Sequence, residues 1–271
     1  MSLETEYTPS SVSRHPVAWY IDDYARRSRQ ARDTLRGKLE KHHYGRGEDE
    51  YLLLASHSID APLLVFIHGG YWKALSADDC CMWAADVLAA GCSFASVNYT
   101  LAPVATLERI VAQCRGAIEW LTLESALSPS RMVVAGSSAG GHLAAMCTTA
   151  HPQPQAISGA VLISGVFDLV PLLQTSVNDP LNLTKADAVR LSPHHLPVSP
   201  CDNVVIAWGE HETKAFASQS NDYASHLRTA GMNPTTIEVP DRDHFDVIYD
   251  LVTPGTPLGD ATLNALGVNA P

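Results

Sequence analysis

The chain contains 271 residues, of which 46% are hydrophobic and 17% are charged, and this composition is typical of a folded protein rather than a disordered one. The length allows one large domain with a substantial core, so we expect a single domain over residues 1–271. The formal net charge is -11 and the basic residues cluster only near residues 25–32, which argues against nucleic acids and anionic membranes as partners.

The first ten residues and the cysteines bear on the compartment and on metal binding. The stretch MSLETEYTPS lacks the basic start and the apolar run of a secretion signal, and no segment has the length of a membrane span. We therefore predict a cytoplasmic protein. The six cysteines have no CxxC spacing, and the histidine pairs at 42–43 and 194–195 have no carboxylate or cysteine at ligand spacing. These patterns predict buried thiols and no bound metal.

In chain order, the first predicted element is a helix over residues 16–35, which belongs to an N-terminal helical extension placed at residues 1–47. Apolar runs of strand length then alternate with helix-length segments, and these strands are predicted at residues 63–67, 94–97, 132–135, 160–163, 204–208 and 235–239. Because the runs are continuous, both faces of each strand must be covered. This predicts an α/β fold with a mostly parallel central sheet and helices on both faces.

Capping and stop signals mark the helices between these strands. Ser76 with Asp79 predicts a helix start and Gly91 a helix end, and further helices are predicted at residues 107–123 and 214–230. Residues 168–202 break the alternation with five prolines and two short helix-like pieces. Long insertions in compact domains are usually functional, so we expect residues 168–202 to form a lid or part of a binding wall.

The stretch Gly136-Ser137-Ser138-Ala139-Gly140 follows a predicted strand and precedes small helix-forming residues. In that context G-x-S-x-G is typical of a nucleophile elbow, a sharp turn that presents the central hydroxyl above the sheet. Ser138 is therefore the candidate nucleophile, and Ser137 is assigned to the pocket floor. Taken alone, the motif is also compatible with a glycine–serine turn that has no chemical role.

The stretch FIHGGYW, residues 66–72, follows the first strongly apolar strand. A His-Gly-Gly stretch at this place lets backbone N–H groups approach a reacting carbonyl. The candidates for this oxyanion hole are the N–H groups of Gly70, Tyr71 and Ala139, while Gly69 gives the loop room to turn. His68 is expected to fix the loop by hydrogen bonding.

A serine hydroxyl needs a base, and the base needs an acid that holds its tautomer. The strand at 204–208 is followed by Gly209, and Glu212 stands three residues after this glycine. Glu212 is the candidate acid, with Glu210 as the alternative. His244 lies on the loop after the last strand and is the candidate base. His211 and His226 are placed less well as the base. Asp243 and Asp246 stay open as structural carboxylates or as an alternative acid.

Aromatic residues near these motifs could form an apolar pocket for an aryl group, with packing in the core as the alternative for each. Together with Ser137, the candidate pocket residues are Trp72, Phe167, Phe216 and Phe245. The expected partner is a small molecule with an aryl or apolar group.

Several stretches, in this order, carry a family resemblance: EYTPS, FIHGGYW, NYTLAP, GSSAGGHLAA, VNDPLNLTKADAVRLSP, GEHETKAFASQS and DHFDVI. Through them the chain resembles the kynurenine formamidase (arylformamidase) group of the α/β-hydrolase fold over nearly its full length. The resemblance implies Ser138 as nucleophile, Glu212 as acid and His244 as base. It also implies hydrolysis of an aryl-formamide such as N-formylkynurenine to the amine and formate, without a metal or an organic cofactor.

Two positions depart from the family pattern. Ser137 stands where relatives often have histidine, and the acid is a glutamate where aspartate is common. The same machinery would also serve a short-chain carboxylesterase or another amide, carbamate or lactone hydrolase, and a receptor without catalysis is a third alternative. The oligomeric state, including a homodimer, stays open.

Overall fold

A computed structural model of the chain describes residues 2–149 and 157–268. Its centre is one eight-stranded sheet in the order β1-β2-β4-β3-β5-β6-β7-β8. The strands of the described residues are Leu39–His43 (β1), Tyr51–Ala55 (β2), Leu63–Ile67 (β3), Ser93–Val97 (β4), Met132–Ser137 (β5), Gly159–Ile163 (β6), Asn203–Gly209 (β7) and Thr235–Val239 (β8). β2 pairs antiparallel with β1 and β4, and all other neighbours are parallel.

Helices cover both faces of the sheet, as the continuous apolar runs predict. They are Leu3–Glu6 (α1), Val17–Leu35 (α2), Ala84–Ala89 (α3), Leu107–Leu123 (α4), Ala139–Thr148 (α5), Lys185–Arg190 (α6), Lys214–Thr229 (α7) and Pro257–Leu266 (α8). Alternate residues of β3 enter two cores, one packed by α4, α5 and α7 and the other by α2, α3 and α8. The prediction of an α/β fold with a mostly parallel sheet is confirmed.

The parallel strands bring the candidate site residues to one edge of the sheet. The carboxyl ends of β3, β5, β7 and β8 lead directly into the His-Gly-Gly loop, the G-x-S-x-G turn, the loop of Glu212 and the loop of His244. Because parallel strands end at the same edge, four segments that are far apart in the sequence meet there. No helix within the described residues combines the length and apolar character that crossing a membrane requires.

Three elements differ from the sequence-based expectation. Residues 39–43 of the predicted helical extension form the edge strand β1, which carries mixed polar residues and lacks an apolar pattern. The buried strand β2 was not predicted. α3 begins at Ala84 rather than after Ser76. The Ser76 hydroxyl binds the Asp79 carboxylate (Oγ to Oδ2, 2.7 Å) in an isolated turn, and the residues between this turn and α3 are buried in the core that α2, α3 and α8 pack.

The insertion at residues 168–202 contains α6 and three single turns of 3₁₀ helix at residues 170–174, 176–178 and 193–195. α6 begins with a capping box, in which the Thr184 hydroxyl and the Asp187 carboxylate each bind the other's backbone N–H. The Ser192 hydroxyl accepts a hydrogen bond from the Leu169 N–H at 2.7 Å and so closes the base of the insertion.

Candidate active site

Ser138 lies at the turn between β5 and α5 with φ 56° and ψ -120°, a backbone conformation that residues with a Cβ rarely adopt. The turn is held by a hydrogen bond from the Ser138 N–H to the Ile163 carbonyl at 2.8 Å. A Cβ at Gly136 would lie 2.2 Å from the Gly140 carbonyl oxygen, and one at Gly140 would lie 2.0 Å from the Ile67 carbonyl oxygen. The spacing of the two glycines is therefore a steric requirement of this elbow.

His244 and Glu212 form a buried pair. His244 Nδ1 lies 2.7 Å from Glu212 Oε2, and the two side chains are 4% and 1% exposed. The other carboxylate oxygen, Oε1, accepts hydrogen bonds from the Ser164 hydroxyl at 2.5 Å and from the Gly209 N–H at 2.6 Å. Since a carboxylate only accepts hydrogen bonds, Nδ1 carries the proton in this pair, and Nε2 of the neutral imidazole is left as a proton acceptor.

Glu210, His211 and His226 have other surroundings. Glu210 is exposed and accepts a hydrogen bond from the Asp241 N–H at 2.9 Å, while His226 on α7 binds the Leu196 carbonyl through Nε2 at 3.1 Å. Glu210, His211 and Asp241 bring one potential ligand atom each within 4.8 Å of one another, and in the described residues this is the one group of three or more His, Cys, Asp or Glu side chains with such spacing. All three are solvent-exposed, and none lines the cavity that contains Ser138.

Asp243 and Asp246 lie near the candidate base His244 in the chain, but their carboxylates bind the loop and not the imidazole. Oδ2 of Asp243 accepts hydrogen bonds from the Tyr20 hydroxyl and from the Arg14 N–H, and Oδ1 accepts one from the Phe245 N–H at 2.8 Å. Oδ1 of Asp246 accepts a hydrogen bond from the Asp243 N–H at 2.7 Å. Burial opposes ionisation, yet the hydrogen bonds from Tyr20 and from backbone N–H groups hold the pKa of Asp243 below its ordinary value.

A cavity of about 440 Å³ opens above the elbow, and both Ser138 and His244 line it. Gly69, Gly70 and Tyr71 form another part of the wall. In the described structure the N–H groups of Gly70 and Tyr71 donate no hydrogen bond to protein atoms, and Ala139 is the first residue of α5, so its N–H has no partner within the helix. The candidate nucleophile and base and the unpaired amides of the HGG loop thus share one cavity.

The HGG loop approaches the elbow closely because of its glycines. A Cβ at Gly69 would lie 2.8 Å from the Ser137 carbonyl oxygen, and Gly70 has φ 95°. His68 is fully buried, its Nδ1 donates to the Gly69 carbonyl at 2.9 Å, and its ring stacks on Tyr99 at a centroid distance of 4.1 Å. Burial lowers the pKa of His68 to about 4. His68 therefore holds the loop as a neutral ring.

The predicted pocket residues divide into two groups. Ser137 and Phe245 line the cavity. Trp72, Phe167 and Phe216 are fully buried and do not line it, so for these three the prediction was wrong. Each packs against another ring: Trp72 Nε1 donates to His142 Nδ1 at 3.3 Å, Phe167 stacks on Tyr223 at 4.4 Å, and Phe216 contacts the His244 ring from the side of the core at 4.3 Å.

Much of the remaining cavity wall comes from the N-terminal extension. The helical pattern of this extension did not by itself predict that it lines the cavity. The stretch EYTPS, part of the family resemblance, was the one signal in the sequence. From this end of the chain the lining residues are Glu4, Tyr7, Thr8, Pro9, Ser10, Val17, Ile21 and Tyr24. Ser176 and Val177 of the insertion complete that side, and the Ser176 N–H donates to Glu4 Oε2 at 2.9 Å. The insertion thus contributes to the binding wall together with the extension.

Residues 64–247 match a protein family described as having the alpha/beta hydrolase fold. The chain is 33% identical to the kynurenine formamidases of Salmo salar and Danio rerio, with 98% of this chain and 96% of each relative covered. The kynurenine formamidase of Drosophila melanogaster is 28% identical over 70% of the chain and 68% of its own length.

Solved structures show the same architecture. A protein from Silicibacter sp. TM1040, provisionally assigned as a thioesterase, has a TM-score of 0.88 at 26% identity and covers 97% of this chain and 99% of its own. An esterase from Pyrobaculum calidifontis has a TM-score of 0.70 at 18% identity, with 97% of this chain and 94% of its own covered, and this likeness concerns the fold alone.

Proposed function

Since this chain belongs to the kynurenine formamidase family of α/β hydrolases, we propose that it hydrolyses an aryl-formamide such as N-formylkynurenine to the free amine and formate. The observation that carries the proposal is the buried His244–Glu212 pair at 2.7 Å, on the same cavity as a serine in a strained elbow. Such a set of groups can activate a hydroxyl for acyl transfer.

In the first half of the proposed reaction, Ser138 Oγ attacks the formyl carbon while His244 Nε2 takes the hydroxyl proton. The N–H groups of Gly70, Tyr71 and Ala139 donate hydrogen bonds to the oxyanion that forms. The Glu212 carboxylate stabilises the resulting imidazolium. When the C–N bond breaks, the imidazolium gives its proton to the departing amine, and the formyl group stays on the serine.

In the second half, water attacks the formyl-enzyme and gives a proton to His244 Nε2. The tetrahedral intermediate collapses, formate leaves, and the proton returns to Ser138 Oγ. The proposed balance is one water consumed for one amine and one formic acid released, and the acid then ionises to formate and a proton at neutral pH. Apart from the Ala139 N–H at the start of α5, the proposed reaction uses only groups of this chain that lie on the cavity or in the buried pair.

The wall of the cavity supports an aryl substrate. Its volume of about 440 Å³ is in the range of small-molecule sites, and aromatic side chains line it: Tyr7, Tyr24, Phe66, Tyr71 and Phe245. Flat aromatic groups pack well against such rings. A small molecule is the proposed partner, and the cytoplasmic location remains a prediction from the sequence.

A comparison of two substrates tests the proposal. We expect the kcat/KM for N-formylkynurenine to exceed that for p-nitrophenyl acetate, with both activities lost in Ser138→Ala. Ester turnover without formamidase turnover would contradict the aryl-formamide substrate and favour a carboxylesterase. Binding of N-formylkynurenine without turnover of either compound would favour a receptor that lacks catalysis.

A further inference from the structure

The segment of residues 2–24, called the N-terminal brace below, is bonded to both neighbours of His244. The Tyr20 hydroxyl and the Arg14 N–H both donate to Asp243 Oδ2, the latter at 3.0 Å. The Tyr24 hydroxyl donates to the Phe245 carbonyl. The brace therefore binds the loop of the proposed base immediately before and immediately after the imidazole.

Asp243 is the junction between the brace and this loop. It is fully buried, and while Oδ2 faces the brace, Oδ1 accepts hydrogen bonds from the N–H groups of Phe245 at 2.8 Å and Asp246 at 3.1 Å. The ring of Tyr20 also stacks on Phe245, with a centroid distance of 4.9 Å and an interplanar angle of 22°. One tyrosine thus fixes the loop through a hydrogen bond and through a ring contact.

The same segment also touches the loops of the proposed acid and of the oxyanion hole. Thr213, which follows Glu212 in the chain, donates from Oγ1 to the Glu6 carbonyl at 2.5 Å, and the Ala215 N–H donates to Glu6 Oε2 at 3.1 Å. The Tyr71 hydroxyl donates to the Tyr7 carbonyl at 2.6 Å. Residues of one N-terminal segment therefore bind three loops whose relative placement decides the geometry of the site.

We propose that the N-terminal brace is a positioning element for the active site, and that Tyr20 and Asp243 are positioning residues that hold the His244 loop in register with Ser138. This inference rests on the proposed function. Loops without such ties are mobile, and a displacement of about 1 Å in a reacting group can cost about 100-fold in rate. Tyr20 and Asp243 would act on turnover, since they fix the base and neither lines the cavity, and less on the affinity for a small substrate.

The test compares Tyr20→Phe with the matched control Tyr51→Phe. Both changes remove a buried tyrosine hydroxyl that donates to an aspartate, but Tyr51 binds Asp78 Oδ2 (2.5 Å) and neither residue of that pair lines the cavity. The readouts are the rate constant for modification of Ser138 by diisopropyl fluorophosphate, the kcat and KM for p-nitrophenyl acetate, and the free energy of unfolding in urea. None of them requires knowledge of the natural substrate.

We expect Tyr20→Phe to lower the modification rate constant and kcat about tenfold with KM changed less than about twofold, and Tyr51→Phe to leave all three within about twofold. Equal modification rates in the wild type and Tyr20→Phe, or equal losses in both variants, would overturn the inference. A wild-type protein that does not react with the reagent would instead contradict the proposed function itself. If Tyr20→Phe does not fold, Tyr24→Phe, which removes the hydrogen bond to the Phe245 carbonyl, is held to the same criteria for the modification rate constant and kcat, and not for KM, because Tyr24 lines the cavity.

Discussion

At the scale of single residues, the proposed chemistry depends on a serine whose backbone is held in the left-handed half of conformational space. A conformation of this kind costs about 1–3 kcal/mol and persists only where the surroundings enforce it. At Ser138 the enforcing groups are the carbonyl of Ile163 and the close contact between Gly136 and Gly140. Substitution of the hydroxyl alone leaves these contacts in place and therefore isolates the chemistry.

Ser138→Ala should lower kcat by about 10³-fold or more with little change in the free energy of unfolding, because only the attacking oxygen is removed. Steady-state rates with N-formylkynurenine and with p-nitrophenyl acetate, together with urea unfolding, check this. Activity within a factor of ten of the wild type would show that another group is the nucleophile.

Glu212→Gln should lower kcat by about 10²–10⁴-fold, since an amide can no longer stabilise an imidazolium and can present its NH₂ group to His244 Nδ1. Glu210→Gln, two residues away and exposed, should change kcat less than about twofold. The two variants are compared at one pH in the same assay. A larger loss in Glu210→Gln than in Glu212→Gln would reverse the assignment of the acid.

Lys73 lines the cavity, and among the ion pairs of the described residues none includes it. N-formylkynurenine carries an α-carboxylate beside an α-ammonium group, whereas p-nitrophenyl acetate has no charged group. Lys73→Ala should raise the KM for N-formylkynurenine about two- to fivefold, the effect of one exposed charge pair, and leave the KM for the ester unchanged. Lys38→Ala, an exposed lysine away from the cavity, is the control. An equal rise for both substrates would argue against a charge effect.

At the scale of elements, the sequence predicted those strands and helices whose bounds depend on a local pattern of apolar residues. β3 and α4 have the predicted bounds, because a continuous apolar run or a helical stripe of apolar residues is sufficient to define such an element. β8 also has the predicted bounds, and its β-branched residues favour a strand although the run is not continuously apolar. The placement of neighbouring side chains required the tertiary structure. Tyr71 lines the cavity while Trp72, the next residue, is fully buried, and both have positive φ values that no sequence periodicity describes.

The contacts of the N-terminal brace could not be predicted from the sequence pattern either, because they join residues that are far apart in the chain. Tyr20 and Asp243 are separated by 223 positions, and the helical pattern of residues 16–35 gives only the apolar side of α2, not the loop that it meets. By contrast, the common location of the candidate nucleophile, acid and base followed from the parallel sheet, because strands that run in the same direction end at one edge. Site residues were therefore predictable where topology fixes them, and not where a wall is assembled from distant segments.

At the scale of the whole molecule, a second buried histidine joins parts of the chain that are far apart. His142 on α5 accepts a hydrogen bond at Nδ1 from Trp72 Nε1 (3.3 Å) and donates from Nε2 to the Leu191 carbonyl of the insertion (2.7 Å). Because an indole N–H only donates and a carbonyl only accepts, the ring is neutral in this network, and protonation of Nδ1 would break the bond to Trp72. Burial lowers the pKa of His142 to about 4, as it does for His68.

These two histidines make the fold sensitive to mild acid. With a folded-state pKa of about 4 and an ordinary value of 6.5, each takes up a proton in the unfolded chain between pH 6.5 and pH 4 but not in the folded protein. Their stabilisation is complete above pH 6.5 and falls as the pH drops through this range. The carboxylates with lowered pKa values, Asp23 and Asp243, lose their contribution only below about pH 4, because that is the ordinary range of an aspartate.

The free energy of unfolding should therefore fall by about 2 kcal/mol for each of the two histidines between pH 7.5 and pH 5, or about 4 kcal/mol together. Urea unfolding of the wild type, His142→Gln and His57→Gln at these two pH values measures the effect. In His142→Gln the loss between the two pH values should be smaller by about 2 kcal/mol, since glutamine does not titrate, whereas His57→Gln, at an exposed position, should follow the wild type. A wild-type stability that is the same at pH 5 and pH 7.5 would mean that the two buried rings accept protons without loss of their hydrogen bonds.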